Sequence, residues 1–261
     1  MAHPVVRDST VRSHYESVER AIVAMRNHLD EPLTLRQLAR IGYASPYHFI
    51  RNFRRITGIP PAQFLRALRL DAAKRMLTET QKKVIDICYE VGYTSVGTFT
   101  RRFVDVLGMS PVRLRRLAGS RSIPLPGVQL SGPTQRHARM GASLTGYIEA
   151  PDDFHGVIAV GLFTTRMPQG KPVSCALLRR SGMYQLESAP EGDFYLFAVG
   201  LKEPAGASVY FDYRAALRAG GHSIRISDGI IHGPTSLVLR SPSPFDPPLL
   251  LVLPAQLTLP T

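Results

Sequence analysis

Apolar residues recur at steps of three and four along the first half of the chain, and at steps of two in short runs along the second. Tyr15, Val18, Ile22, Met25 and Leu29 share one face of a helix at that spacing. From Thr34 a short helix carries Leu35, Leu38, Ala39 and Ile41, and a turn follows at Gly42-Tyr43. Ser45-Pro46 reads as a helix start, a capping residue and then proline at the first helical position. Gly58, with Pro60 and Pro61 beyond it, marks the stop. Pro61 to Met76 predicts a longer helix, apolar at Phe64, Leu65, Leu68, Ala72 and Met76, which at 1.5 Å per residue is a rigid spacer of about 24 Å. Residues 1–14 lack such a stripe and are expected to form a tail.

The pattern then starts again. The run from Ile41 to Pro61 aligns without a gap on the run from Val91 to Pro111, at an offset of 50 residues. The pairs are Gly42 with Gly92, Tyr43 with Tyr93, Ser45 with Ser95, Phe49 with Phe99, Arg51 with Arg101, Phe53 with Phe103, Gly58 with Gly108 and Pro61 with Pro111. In the supporting helix the match slips by one, Leu38-Ala39 onto Ile87-Cys88, so the second turn is one residue longer. Such a repeat predicts a duplicated helix-turn-helix.

After a last helix near Pro111 to Leu117, residues 119–142 lose periodicity and collect Gly, Ser, Pro and Arg, as a linker does. Strand-like runs follow at 144–148, 157–163, 174–178, 183–186, 194–199, 208–213, 223–226 and 236–239, separated by turns such as Pro190-Glu-Gly-Asp and Asp228-Gly. Strands at that spacing predict a β-sandwich. The expected fold class is multidomain α plus β: a tail (1–14), an all-α double helix-turn-helix domain of homeodomain-like form (15–118), a linker (119–142) and an all-β sandwich (143–261).

Charge sharpens this division. Residues 1–122 hold 21 Lys and Arg against 10 Asp and Glu, whereas 123–261 hold 11 against 10. A basic excess confined to one half suits a polyphosphate partner, and with the repeat it points to double-stranded DNA. Stepping 100° per residue from Phe49 places Phe53 and Ile56 inward, with Tyr47, Arg51, Arg54 and Arg55 outward. From Phe99 the same steps put Phe103 and Val106 inward, with Gly97, Thr100 and Arg101 outward. Arginine presented from a helix suits the major groove, where it pairs with guanine. Arg54, Arg55, Arg102, Lys82 and Lys83 are candidates for phosphate contact or plain solvation, while Tyr43, Tyr93 and the phenylalanines are expected in the core.

Leu38-Ala39 through Ser45-Pro-Tyr-His-Phe-Ile-Arg-Asn-Phe, the linking helix, and Ile87-Cys-Tyr-Glu-Val-Gly-Tyr-Thr-Ser through Phe99-Thr-Arg-Arg-Phe to Gly108-Met-Ser-Pro resemble the two-unit DNA-binding domain of the AraC/XylS family. The resemblance implies binding to two adjacent major-groove segments, regulation of transcription, more often activation, and contact with RNA polymerase. It places DNA contacts at Tyr47, Ile50 and Arg51, and at Val96, Gly97, Thr98 and Arg101; the helix-face reading adds Thr100, Arg54, Arg55 and Arg102 as further candidates. Val96-Gly97 departs from the larger polar residues often found there, so phosphate contact is expected to outweigh base readout in the second unit. Family members often carry their sensory domain first; here the second domain follows, which argues against transferring any effector.

Leu144-Thr-Gly-Tyr-Ile-Glu-Ala-Pro, Val157-Ile-Ala-Val-Gly-Leu-Phe, Gly182-Met-Tyr-Gln-Leu and Ala189-Pro-Glu-Gly-Asp-Phe-Tyr-Leu are similar to the transthyretin-like or carboxypeptidase-regulatory sandwich. That resemblance implies a fold and no activity. The domain is expected to sense a small-molecule effector or a partner, with a ligand-independent homodimerisation module as the alternative. A nonspecific architectural DNA binder is the other reading of the whole chain. No enzyme, cofactor or metal is expected: Cys175 has no neighbouring base in sequence, and His222, Asp228 and His232 fit no metal-ligand spacing. Cys88 and Cys175 are expected to be reduced and buried. With no apolar run near 20 residues and no secretory leader, the chain is expected to be cytoplasmic, associated with the nucleoid when bound, and free of membranes.

Overall fold

A computed structural model of the protein describes residues 4–119, 141–202 and 212–252. Seven helices precede eight strands among these residues. By compactness the chain divides into one unit of Met1–Arg101 with Ser243–Pro248 and another of Arg102–Pro242 with Leu249–Thr261.

The helices are α1 (Pro4–Asn27), α2 (Leu35–Ile41), α3 (Pro46–Thr57), α4 (Pro61–Glu79), α5 (Val84–Glu90), α6 (Val96–Leu107) and α7 (Pro111–Ala118). The first begins at Pro4, where a tail to residue 14 is expected. Its early positions Thr10 to Ser13 are exposed, so this extension has no apolar stripe by which a periodicity reading finds a helix. Further along, Val18, Ala21, Ile22 and Met25 are buried. A capping box starts α2: Thr34 Oγ1 accepts from the Gln37 amide at 3.3 Å, and Gln37 Oε1 accepts from the Thr34 amide at 2.7 Å. Pro46 opens α3 and the left-handed Gly58 (φ 80°) closes it. In the 19-residue α4, Lys74 is fully buried and lies 3.4 Å from Asp71. Ser243–Pro248 belongs with the helical unit, where Phe245 meets Tyr15 edge-on at 5.3 Å.

The supporting helices α2 and α5 repeat at 49 residues and the recognition-type helices α3 and α6 at 50. Backbone hydrogen bonds carry the 49-residue register into the turn. The amides of Gly42, Tyr43 and Ala44 donate to Leu38, Arg40 and Ala39, and those of Val91, Gly92 and Tyr93 donate to Ile87, Tyr89 and Cys88. Tyr43 is therefore the counterpart of Gly92, not of Tyr93. Both occupy the left-handed position after the helix, φ 54° and 80°. This corrects the expectation that Tyr43 is core: it is 84% exposed, with the Arg20 guanidinium 4.9 Å from its ring centroid. Tyr93 takes the inward place and packs edge-on against Phe99 at 5.3 Å.

The strands are β1 (Ala142–Glu149), β2 (Gly156–Phe163), β3 (Ser174–Leu178), β4 (Gly182–Ala189), β5 (Gly192–Lys202), β6 (Leu217–Ser227), β7 (Ile230–His232) and β8 (Leu237–Val238). They form a three-stranded sheet β4-β1-β8 and a five-stranded sheet β3-β2-β5-β6-β7. Pairing is antiparallel except for β8, which runs parallel to β1. Leu144, Ile148 and Leu186 from the smaller sheet share a core with Ile158, Leu196 and Ile224 from the larger. Gly146 faces Tyr184 across β1 and β4, and a Cβ there would collide with the Tyr184 hydroxyl. That hydroxyl donates to the Thr235 carbonyl at 2.5 Å.

Three details differ from the sequence reading. The run 208–213 falls largely outside the described residues; Asp212 and Tyr213 are not strand, and Tyr213 is buried. The short β7 was not expected. It folds back on β6 through Asp228-Gly229, both at positive φ (52° and 71°), a two-residue turn whose twist matches the strands. Cys175 is exposed, because β3 turns it to the outer face of the larger sheet, while Cys88 is buried as expected.

That outer face is apolar too. Phe163, Val199 and Leu201 pack there with Tyr213, Ala216, Leu249 and Leu251, which explains why the β2 run is continuously apolar rather than alternating.

Candidate nucleic-acid interface

Phe49 and Phe53 hold α3 to its neighbours. Both are buried, their rings 5.5 Å apart, and Phe53 meets Phe64 of α4 edge-on at 5.4 Å. Thr57 caps the inner side by donating to the Phe53 carbonyl at 2.8 Å. With that face committed, helical geometry turns Tyr47, Ile50, Arg51, Arg54 and Arg55 to the surface, and all five are exposed. Tyr47 stands 73% exposed at the N-terminal end of the helix.

The second unit repeats the inward pair, with Phe99 and Phe103 fully buried. Gly97, Thr98, Arg101 and Arg102 are exposed, whereas Val96 and Thr100 are half-buried. Thr100 therefore presents only part of its side chain outward. The inward expectation for Ile56 and Val106 is met only halfway, since both are half-buried at the edges of their cores.

The two outer faces differ in chemistry. The face of α3 carries three arginines, a tyrosine and an isoleucine. The face of α6 carries two arginines among small residues, with open space around Gly97. Lys82 is engaged by Glu90, both carboxylate oxygens lying 2.7 Å from Nζ, which diverts it from the role of a free phosphate contact.

One neighbour of α3 carries no signal in the sequence. His14 of α1 accepts from Arg55 Nη2 through Nδ1 at 3.0 Å. Burial and the positive charges of Arg55, Arg51 and His48 hold its pKa below the ordinary histidine value. The α1 helix thus flanks the outer face of α3 with a polar side chain.

In the sheet unit a cavity of about 20 Å³ is lined by Phe163, Cys175, Leu177, Phe197, Val199 and Leu251. Its apolar surroundings push the Cys175 thiol up, and Lys171 pulls the other way. Among the described residues no three His, Cys, Asp or Glu side chains are grouped to hold a metal ion, and no described helix is long and apolar enough to cross a membrane.

Comparison with known proteins matches residues 14–117 to the family of the helix-turn-helix domain. The bifunctional transcriptional activator and DNA repair enzyme AdaA of Bacillus subtilis is 38% identical over 88 residues, which are 34% of this chain and 42% of that protein. The melibiose operon regulatory protein of Escherichia coli is 26% identical over 132 residues, 48% of this chain and 44% of its own length. Among solved structures, an AraC-type transcriptional regulator from Chromobacterium violaceum aligns at 23% identity and a TM-score of 0.39, over 41% of this chain and 95% of that one. The chain thus spans about two-fifths of the length of the curated relatives it matches. Residues 14–117, with their paired supporting and recognition-type helices, form a helix-turn-helix domain.

Proposed function

We propose that this protein is a sequence-specific DNA-binding regulator of transcription that lays α3 and α6 into two adjacent major-groove segments. The observation that carries the reading is the repeated geometry. Two helices, each anchored by a buried phenylalanine pair, expose Arg51 and Arg101 at the same place. A lone surface arginine has many explanations, but a repeated one opposite a repeated core pair is suited to reading a repeated groove. Tyr47, Ile50 and Arg51 act as base-reading residues. Arg54, Arg55 and Arg102 hold phosphates, and Val96, Gly97, Thr98, Thr100 and Arg101 admit the backbone closely with less base discrimination. Activation through contact with RNA polymerase is the action implied by resemblance to the AraC/XylS family.

The sheet domain, read as a transthyretin-like sandwich, acts as a homodimerisation or partner-docking module rather than a metabolite sensor. Two observations favour this. The core between its sheets is filled by buried side chains; the apolar cavity on the outer face, about 20 Å³, has room for about one water, and the larger space of about 580 Å³ lined by Asp193, Ser223, Arg225, Ser227, His232 and Gly233 is an open polar groove, not an enclosed apolar site.

The test is fluorescence-anisotropy titration of the full chain against DNA from upstream of its own gene, with random competitor and a salt series. Specific binding above competitor with a steep salt slope is expected. Weak binding equal on every sequence would replace the regulator with an architectural binder. Light scattering over a concentration series tests the sheet domain: a mass that doubles with concentration and ignores a metabolite panel is expected.

A further inference from the structure

We infer that His14 and Arg55, under the positive charges of Arg51 and His48, form a proton-linked binding site for a backbone phosphate of DNA at the flank of α3. This rests on the DNA-binding reading above and adds α1 to the interface.

The geometry is a convergence of cations. Arg55 donates to His14 Nδ1 at 3.0 Å, so in the free protein Nδ1 carries no proton and the imidazole is neutral. The charges that weigh on it are those of Arg55, Arg51 and His48, all from α3. On α1 itself Glu16 is taken by Arg12 at 3.2 Å, and two residues from His14 it points to another side of the helix. Of the other helices packed on α1, α2 brings only the like charges Arg36 and Arg40. On α4, Asp71 is shared between Lys74 at 3.4 Å and Arg75 at 3.7 Å.

A phosphodiester supplies an anion with two non-bridging oxygens. One accepts from the Arg55 guanidinium. As Arg55 turns to it, Nδ1 is released, takes one proton from solvent, and the imidazolium donates to the other oxygen. The bound state thus holds one more proton than the free state. Affinity is greatest at low pH and falls as pH rises through the histidine pKa of the complex; it is flat below the free-state pKa, which lies under the ordinary value.

The experiment measures full-chain binding to a 30-base-pair duplex at pH 5.5 to 8.5 and constant ionic strength, together with the His14 ring titration by NMR, free and bound. Wild type should bind more tightly at pH 6 than at pH 8, by at most about tenfold for each unit its pKa rises on binding. His14→Ala should flatten that dependence, and His14→Arg should bind independently of pH at least as tightly as wild type does at pH 6. Because His14→Arg carries permanently the charge that the imidazole takes up only in the complex, tight binding by that variant, read beside the thermal melts of both variants, separates loss of the site from a folding loss in His14→Ala. Wild-type pH dependence retained in His14→Ala, or an unmoved His14 titration in the complex, would sink the phosphate site while leaving DNA binding intact. A wild type that binds no duplex overturns both. A His14 shift with inorganic phosphate equal to that with duplex would assign the site to free anions and overturn its role on DNA.

Discussion

The two helix-turn-helix repeats keep the same inner face and the arginine opposite it, Arg51 and Arg101, and diverge over most of the rest of the outer face. Phe49 and Phe53 in one, Phe99 and Phe103 in the other, are buried alike. Outside that pair the first repeat has a capping box on its supporting helix, a third arginine and a flanking histidine, whereas α5 has Lys83 at its N-cap and no side-chain cap. What the repeats share holds a recognition-type helix in place, and most of what differs lies on the face it presents. On the proposed reading the first unit discriminates and the second holds.

The largest effect tests the shared part. Truncating Phe53 or Phe103 to alanine removes a wholly buried ring and leaves a cavity, which costs about 3 to 5 kcal/mol. Denaturant unfolding of the full chain, followed by the helical circular dichroism signal, should show both variants destabilised by similar amounts. A Phe103→Ala variant within about 1 kcal/mol of wild type, where truncation of a buried phenylalanine should cost at least 3, would mean that α6 is anchored by something other than the repeated pair.

The next effect tests the divergence. Arg51→Ala should cost about 1 to 3 kcal/mol in binding and relax discrimination at one base pair. Arg101→Ala should weaken binding to all sequences evenly and lower the salt slope by about one, the signature of a lost phosphate contact. Competition titrations on single-base variants of the bound site separate the two. Equal, sequence-independent losses at both arginines would erase the distinction between a reading unit and a holding unit.

Much of this was legible in the residues because the signals were local. Ser45-Pro46 and Gly58 bracket α3 within a residue, and the aromatic spacing sorts inner from outer faces. What stayed hidden involves partners far apart in sequence or a register that local identity masks. His14 lies 41 residues from Arg55, on a stretch of α1 with no stripe of its own. Cys175 sits in an apolar run, yet its strand lies at the edge of the larger sheet, so the residue is exposed even though its thiol borders the apolar cavity of the outer face. The identical Gly-Tyr pairs of the two turns suggest equal roles at an offset of 50, while the backbone hydrogen bonds keep 49 through Ala44 and Tyr93.

That last difference yields the smallest effect. At Tyr43 a non-glycine residue sits at φ 54°, a conformation glycine adopts freely, and most of its side chain is in solvent. Tyr43→Gly exchanges backbone strain against loss of the ring over Arg20, and the two should nearly cancel, leaving stability within about 1 kcal/mol of wild type. Gly92 holds the same place in the second turn, but there a Cβ would collide with the Leu29 carbonyl oxygen and lie 2.8 Å from Arg69 Nη2. Gly92→Ala therefore combines φ strain with a clash against backbone and should cost more than about 1 kcal/mol. Thermal melts of the two variants side by side decide the register. If Tyr43→Gly destabilises as much as truncating Tyr93 to alanine, Tyr43 is a core residue and the 50-residue alignment governs the turn. If it is silent while Gly92→Ala is not, the two turns share a backbone position, and the tyrosines that look like equivalents have different roles.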